Sequence, residues 1–244
     1  MKVALAQVRS ETGAVERNVG RHLAALHQLD PGEADLVVFP ELSLSNYDPD
    51  VAAASAVGPD DDRVAPLRRF ADEAGVAVAV GAPLASEGKP QIALLVFVPG
   101  RAPVVVGKRH LHGDEVPFFS PADAGPSVLA LAVPVGVAIC YEVSVAAHAD
   151  ALVEAGAAVY LASVAKTPGG VAAARAALSA TATRHGVPAL MVNSVGTCEG
   201  KRSGGGSLVL DRAGRLVGQL GDAEEAFLVY DTEDGTTSAA SIRL

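Results

Sequence analysis

The chain has no tryptophan, 4% aromatic residues and two cysteines among its 244 residues. Two cysteines cannot make the disulfide framework of a small secreted domain. A packed core must therefore hold the chain, and a reducing, cytoplasmic setting is expected. Positive charge is also in short supply: 19 Lys and Arg against 28 Asp and Glu give a net charge of −9, with no basic cluster. That excludes nucleic acid and anionic membrane surfaces as expected partners. Long hydrophobic runs are missing as well. The longest, Val128 to Cys140, is broken by Pro134 and Gly136 and falls short of the roughly 20 residues a membrane span needs. The opening Met1–Val8 has too short an apolar run for a signal peptide and reads as a first strand.

What the chain has instead is small apolar residues. Hydrophobic residues make up 50% of the sequence, with a mean hydropathy of +0.31, and many of them are Ala and Val, which suit closely packed β/α layers. Lys2–Val8 reads as a strand, 16–29 as a helix closed by Pro31–Gly32, and Leu36–Phe39 as a short buried strand. A helix over 64–74 and a strand over 76–81 follow a long polar loop, so the first third reads as helices packed on a central sheet. Gln91–Val98 and Val104–Val106 suggest a hairpin. The second half echoes the first: strands over 128–133 and 135–139, a helix over 143–155, a strand over 157–162, a helix over 171–185 and a strand over 189–193. Strands over 207–210, 216–220 and 226–230 close the chain and read as antiparallel. With no linker and no low-complexity segment, residues 1–244 are expected to form one α/β domain, with polar 232–244 as a tail or interface arm.

Three loops follow buried strands, and each begins with a reactive residue. Glu41 follows Leu36–Phe39, Lys108 follows Val104–Val106, and Cys140 follows Val135–Ile139. Ligands of open sheets bind outside the carboxyl ends of strands, where these three groups could converge. Glu41 would act as base for a Cys140 nucleophile. Lys108 and the Tyr141 N–H would stabilise the oxyanion of acyl transfer. A helix start after Cys140 would lower its pKa and favour thiolate. Taken singly, Glu41 could be a cap, Lys108 a solvated lysine and Cys140 core filler; together they favour chemistry.

The stretches Phe39–Pro–Glu–Leu42, Gly107–Lys–Arg–His–Leu111 and Ile139–Cys–Tyr–Glu142 resemble, in order and spacing, the three catalytic motifs of the nitrilase superfamily of carbon–nitrogen hydrolases. The resemblance extends from Val3 to Gly214. It implies a four-layer α-β-β-α sandwich that pairs into a homodimer or higher assembly. It also implies a triad of Glu41 as base, Lys108 as oxyanion stabiliser and Cys140 as nucleophile, cleaving a small linear amide or N-carbamoyl compound through a thioester, with no metal or organic cofactor. Glu115, in Glu115–Val–Pro–Phe–Phe–Ser–Pro121, matches the family's second glutamate, which positions substrate or tunes the lysine. Tyr47 matches an aromatic that lines the pocket. The same thioester could serve an acyltransferase, and the fold could serve a non-catalytic binding protein.

The chain departs from the family where substrate is chosen. Glu142 is followed by Val–Ser–Val–Ala–Ala–His148, without the usual arginine, and Asn193–Ser–Val–Gly196 replaces Asn–Arg–x–Gly. Lys166, in Leu161–Ala–Ser–Val–Ala–Lys–Thr–Pro168, could pair with an acidic group on the substrate or be a lysine at a loop tip. His110, His112 and Asp114 lack the further ligands a metal site needs. Cys198 lacks a strand-to-helix setting and reads as an incidental thiol. Gly204–Gly206 is not a phosphate loop, because no Lys-Ser/Thr or helix start follows it.

Overall fold

Strands alternate with helices along most of the chain. In the computed structural model, which describes residues 1–123, 125 and 127–244, the first half runs β1 (Lys2–Gln7), α1 (Val15–Leu26), β2 (Leu36–Val38), α2 (Ala65–Ala74), β3 (Ala77–Leu84), β4 (Gln91–Phe97) and β5 (Val104–Gly107). The second half runs β6 (Val128–Leu129), β7 (Val135–Ile139), α3 (Ala146–Glu154), β8 (Val159–Val164), α4 (Pro168–His185) and β9 (Ala189–Asn193). Six strands close the chain: β10 (Thr197–Cys198), β11 (Lys201–Arg202), β12 (Leu208–Leu210), β13 (Leu216–Gln219), β14 (Ala226–Asp231) and β15 (Thr237–Ser241).

Two sheets hold all but the β10–β11 hairpin. One has seven strands in the order β15-β14-β1-β2-β3-β4-β5, the other six in the order β13-β12-β9-β8-β7-β6. The centre of each is parallel: β1, β2 and β3 in the first, β7, β8 and β9 in the second.

The two-residue alternation of strand side chains explains the layers. Val3 and Leu5 of β1 share one core with Val137 and Ile139 of β7, so the sheets stack face to face. Ala4 and Ala6 point the other way and pack with Val15, Val19 and Leu26 of α1. Across the molecule, Ala138, Ala162 and Met191 pack with Leu152 of α3 and Leu178 of α4. The result is a four-layer α-β-β-α sandwich. Its central strands are buried on both faces and so read as unbroken apolar runs.

Four details differ from the sequence reading. The strand read over 128–133 shortens to β6, two residues long. The helix read over 143–155 splits into a tight turn, Cys140–Ser144, and α3, because the Glu142 carboxylate folds back to accept the Ile139 N–H at 2.8 Å. The closing strands do not stay together: β12 and β13 extend the six-stranded sheet, whereas β14 crosses over and pairs antiparallel with β1. Residues 232–244 are not a free tail, since β15 pairs with β14 from Thr237 to Ser241. Its Thr–Ser–Ala–Ala–Ser sequence is largely exposed at the sheet edge, so no apolar alternation marks it.

Candidate active site

Each of the three loops is held by its own packing. The turn carrying Glu41 lies against β3: Phe39 N–H donates to Ala79 O and Leu44 N–H to Gly81 O, both at 2.8 Å. That approach requires glycine, because a Cβ at Gly81 would fall 2.2 Å from Pro40 O and 2.4 Å from Leu42 N. Lys108 leaves β5 with its N–H on Ile92 O at 2.7 Å. Cys140 opens the turn after β7 with φ of 48°. Among the described residues the other non-glycine positive φ values are at Leu42, Asn46 and Glu199. Each of the four lies in the site or next to a site residue. Such conformations cost about 1–3 kcal/mol each and persist where the surroundings enforce them.

The loops bring together three of the four residues read as catalytic around one ammonium. Lys108 Nζ donates to Glu41 Oε1 at 2.8 Å and to Glu115 Oε1 at 2.6 Å, and all three side chains are buried. Tyr47 Oη donates to the same Glu115 oxygen at 2.9 Å, and the His112 N–H donates to Glu115 Oε2 at 2.7 Å. Glu41 Oε2 accepts the Ala165 N–H at 3.2 Å. The Cys140 thiol, the fourth member, lies close enough to Glu41 and Lys108 for their charges to act on it.

The electrostatics follow from burial. Burial, with Glu41 next, pushes the Cys140 thiol up to about 12, against Lys108, Lys166 and the Ala165 N–H, which pull it down. The sequence reading expected a lowered value. The short turn that Cys140 opens, Cys140–Ser144, supplies too little helix dipole to offset desolvation. Burial also raises Glu41; Lys108 opposes that rise, and Glu115 adds to it. Burial alone would lower Lys108, but Glu41, Cys140 and Glu115 hold it above its ordinary value, so it stays an ammonium. Burial keeps Tyr47 far above its ordinary value and hence a donor. The resting centre is thus a thiol, an ammonium and two carboxyl groups.

A cavity of about 270 Å³ opens onto Cys140. Tyr47, Glu115, Tyr141 and Lys166 line it, so every residue read as substrate-binding reaches the same space. Tyr141 is exposed, with its ring edge-on to His112 at 5.2 Å. Cys198 also lines the cavity, held by Ser203 Oγ at 2.8 Å and Asn46 Oδ1 at 3.2 Å. It belongs to the β10–β11 hairpin, a tight turn through Glu199 and Gly200 at the cavity mouth that the sequence reading took for a loop. His112 pairs with Asp114 at 2.5 Å, and among the described residues no group of three or more His, Cys, Asp or Glu is placed to hold a metal.

Two supporting residues escaped the sequence reading. Glu142 is buried and accepts the Arg109 N–H at 2.7 Å and the His110 N–H at 3.2 Å, as well as Ile139. It ties the lysine loop to the cysteine turn, and His148 Nε2 stands 3.5 Å from its other oxygen. The acid three residues after a strand end was the available signal. Asn193 holds Lys166 by both sides of its peptide, with Oδ1 on Lys166 N at 2.8 Å and Nδ2 on Lys166 O at 3.1 Å.

A buried carboxylate and ammonium beside a cysteine at a strand end, on a four-layer sandwich, define a candidate thiol hydrolase. Residues 2–240 match the carbon–nitrogen hydrolase family, and the chain belongs to it. An (R)-stereoselective amidase from Pseudomonas sp is 29% identical over 94% of this chain and 84% of its own. A glutamine-dependent NAD(+) synthetase from Rhodobacter capsulatus is 29% identical over 96% of this chain, which spans only 44% of that relative. Among solved structures, an amidase from Nesterenkonia sp. superposes with a TM-score of 0.85 at 26% identity, covering 96% of this chain and 91% of that one. The cysteine-to-alanine mutant of the strain AN1 amidase has been solved in complex with butyramide.

Proposed function

We propose that the protein is an amidase that hydrolyses small linear amides through a Cys140 thioester. The observation that carries this is the buried Lys108 ammonium shared by Glu41 and Glu115, beside Cys140, which lines the cavity. Family membership and the butyramide complex of the Nesterenkonia amidase support the same reaction class.

The chemistry follows from the charges. Cys140 rests as a thiol, so it needs a base at the moment of attack. Glu41 takes the thiol proton as sulfur bonds to the amide carbon, and Lys108 stabilises the negative oxygen that forms. Glu41 returns the proton to the leaving nitrogen, the C–N bond breaks and ammonia departs, leaving a thioester. Glu41 then takes a proton from water; its oxygen adds to the acyl carbon, and the carbon–sulfur bond breaks. The acid leaves, and the proton returns to Cys140. Glu115 holds Lys108 between two carboxyl groups and is itself fixed by Tyr47.

The test is ammonia release from a panel of aliphatic amides and N-carbamoyl amino acids. Release by the wild type and none by Cys140→Ala is expected; an adduct on Cys140 that only an added amine discharges would instead favour acyl transfer. We also place the protein in the cytoplasm as a homodimer. Both cysteines are free thiols, which supports a reducing setting. Exposed Ala172, Ala173, Ala176 and Ala180 of α4 offer a small-residue face that a second copy can approach closely. Light scattering checks the dimer. Among the described residues no helix is long and apolar enough to cross a membrane.

A further inference from the structure

The cavity next to Cys140 carries an unspent positive charge. Three cationic side chains line it besides the histidine, and two are paired: Lys201 with Glu199 at 3.7 Å, and Arg202 with Asp222. His112 faces Asp114. Lys166 lines the same cavity, half-buried, and among the described residues no carboxylate lies within ion-pairing distance of it.

Lys166 is not a loose loop lysine. Asn193 bonds its peptide on both sides, and the Gly204 N–H donates to its carbonyl at 2.7 Å. Its stem runs beside Gly170, where a Cβ would meet Lys166 Cβ, Cγ and Cδ at 3.4–3.7 Å. The residue before it, Ala165, gives its N–H to Glu41 Oε2 at 3.2 Å. The ammonium is therefore carried on a fixed backbone that starts one peptide away from the reacting atoms.

From this unpaired cation, its rigid mounting and the size of the cavity, we infer that the preferred substrate is a primary amide whose acyl chain ends in a carboxylate, which Lys166 pairs. The inference rests on the amidase reading and names its substrate class. A carboxylate entering the cavity otherwise meets a centre with two carboxyl groups, Glu41 and Glu115, and one ammonium, Lys108; Lys166 supplies the missing counter-charge. The cavity, about 270 Å³, has room for the monoamide of a short dicarboxylic acid. The reaction is then monoamide plus water giving the dicarboxylic acid and ammonia, through the thioester described above.

Succinamate and its neutral counterpart butyramide provide the test. The wild type should favour succinamate in kcat/KM by roughly 10- to 100-fold, the range of a hydrogen bond to a charged group. Lys166→Met should bring the ratio of the two close to one. Lys166→Glu should shift preference to an amine-bearing amide such as β-alaninamide. A wild-type ratio at or below one, or a ratio that Lys166→Met leaves unchanged, overturns the inference while butyramide turnover leaves the amidase reading standing. If neither amide is cleaved, calorimetry with Cys140→Ala decides: succinamate binding that Lys166→Met abolishes supports the carboxylate site without the amidase reading, and no binding overturns both.

Discussion

Lys108 and Lys166 each follow a strand of the sandwich and each borders the same reacting cysteine, yet they are held in opposite ways. Lys108 is buried between Glu41 and Glu115, which share its ammonium. Lys166 is gripped by its peptide and lines the cavity, and among the described residues no carboxylate pairs with it. The first arrangement keeps two carboxyl groups tolerable in the core and, in the proposed reaction, holds a cation where negative charge develops. The second, on the proposed reading, leaves a charge for the substrate. Burial with partners then goes with the proposed chemistry, and a fixed backbone with a free end goes with the proposed choice of substrate.

Variants at both lysines and around them put that contrast to experiment. The largest effect is expected from Lys108→Met, which leaves two buried carboxyl groups without a cation. It should cost about 3–5 kcal/mol of stability and lower ammonia release by roughly 10³-fold. Lys166→Met should stay within about 0.5 kcal/mol of the wild type in the same urea titration. Equal stability losses for the two lysines would erase the distinction between them.

Gly81→Ala comes next. Its Cβ would collide with the Pro40 carbonyl at 2.2 Å, so the Glu41 turn must move. A displacement of about 1 Å costs roughly 10²-fold in rate, and the loss should fall on kcat more than on KM. An unchanged kcat would mean that the turn relaxes without moving the carboxylate.

The pH profile gives a smaller, signed effect. In the proposed mechanism Glu41 must be ionised to take the thiol proton, and burial raises its pKa. Activity should therefore rise with pH through a midpoint above the ordinary glutamate value of about 4.3. A midpoint at or below that value contradicts the role given to burial.

The smallest effect on turnover is expected at His22, which stacks on Phe39 at 4.0 Å and meets Ser43 Oγ at 3.0 Å beneath the Glu41 turn. Burial lowers its pKa to about 3 from 6.5. Between those values the unfolded chain binds the proton and the folded one does not, so stability present above pH 6.5 is lost as pH falls toward 3. His22→Gln should flatten that slope by at most about 1.4 kcal/mol per pH unit, read from urea unfolding at a series of pH values.

Much of the site was legible in the sequence because its parts are local. Glu41, Lys108 and Cys140 each stand directly after an apolar strand, and a strand end fixes where the next side chain goes. The layers were legible for the same reason: Val3, Leu5 and their alternating neighbours carry the two-residue period. What was not legible depends on partners far away in the chain. Nothing in Ala226–Asp231 says that it pairs with β1 and not β13, and the small residues of Thr237–Ser241 carry no alternation that would mark an edge strand. The thiol pKa was misread because local sequence shows a turn but not the burial around it. Glu142 and Asn193 were passed over because their work is to bind backbone N–H and C=O groups of other loops, which residue type alone does not announce.

The central claim is that Cys140 forms a thioester that water discharges. Intact-mass measurement of enzyme acid-quenched during butyramide turnover tests it most directly. A butyryl adduct mapped to Cys140 should form and disappear as turnover ends, with neither adduct nor ammonia from Cys140→Ala. Ammonia release by Cys140→Ala at the wild-type rate, or an adduct on another residue, would contradict it.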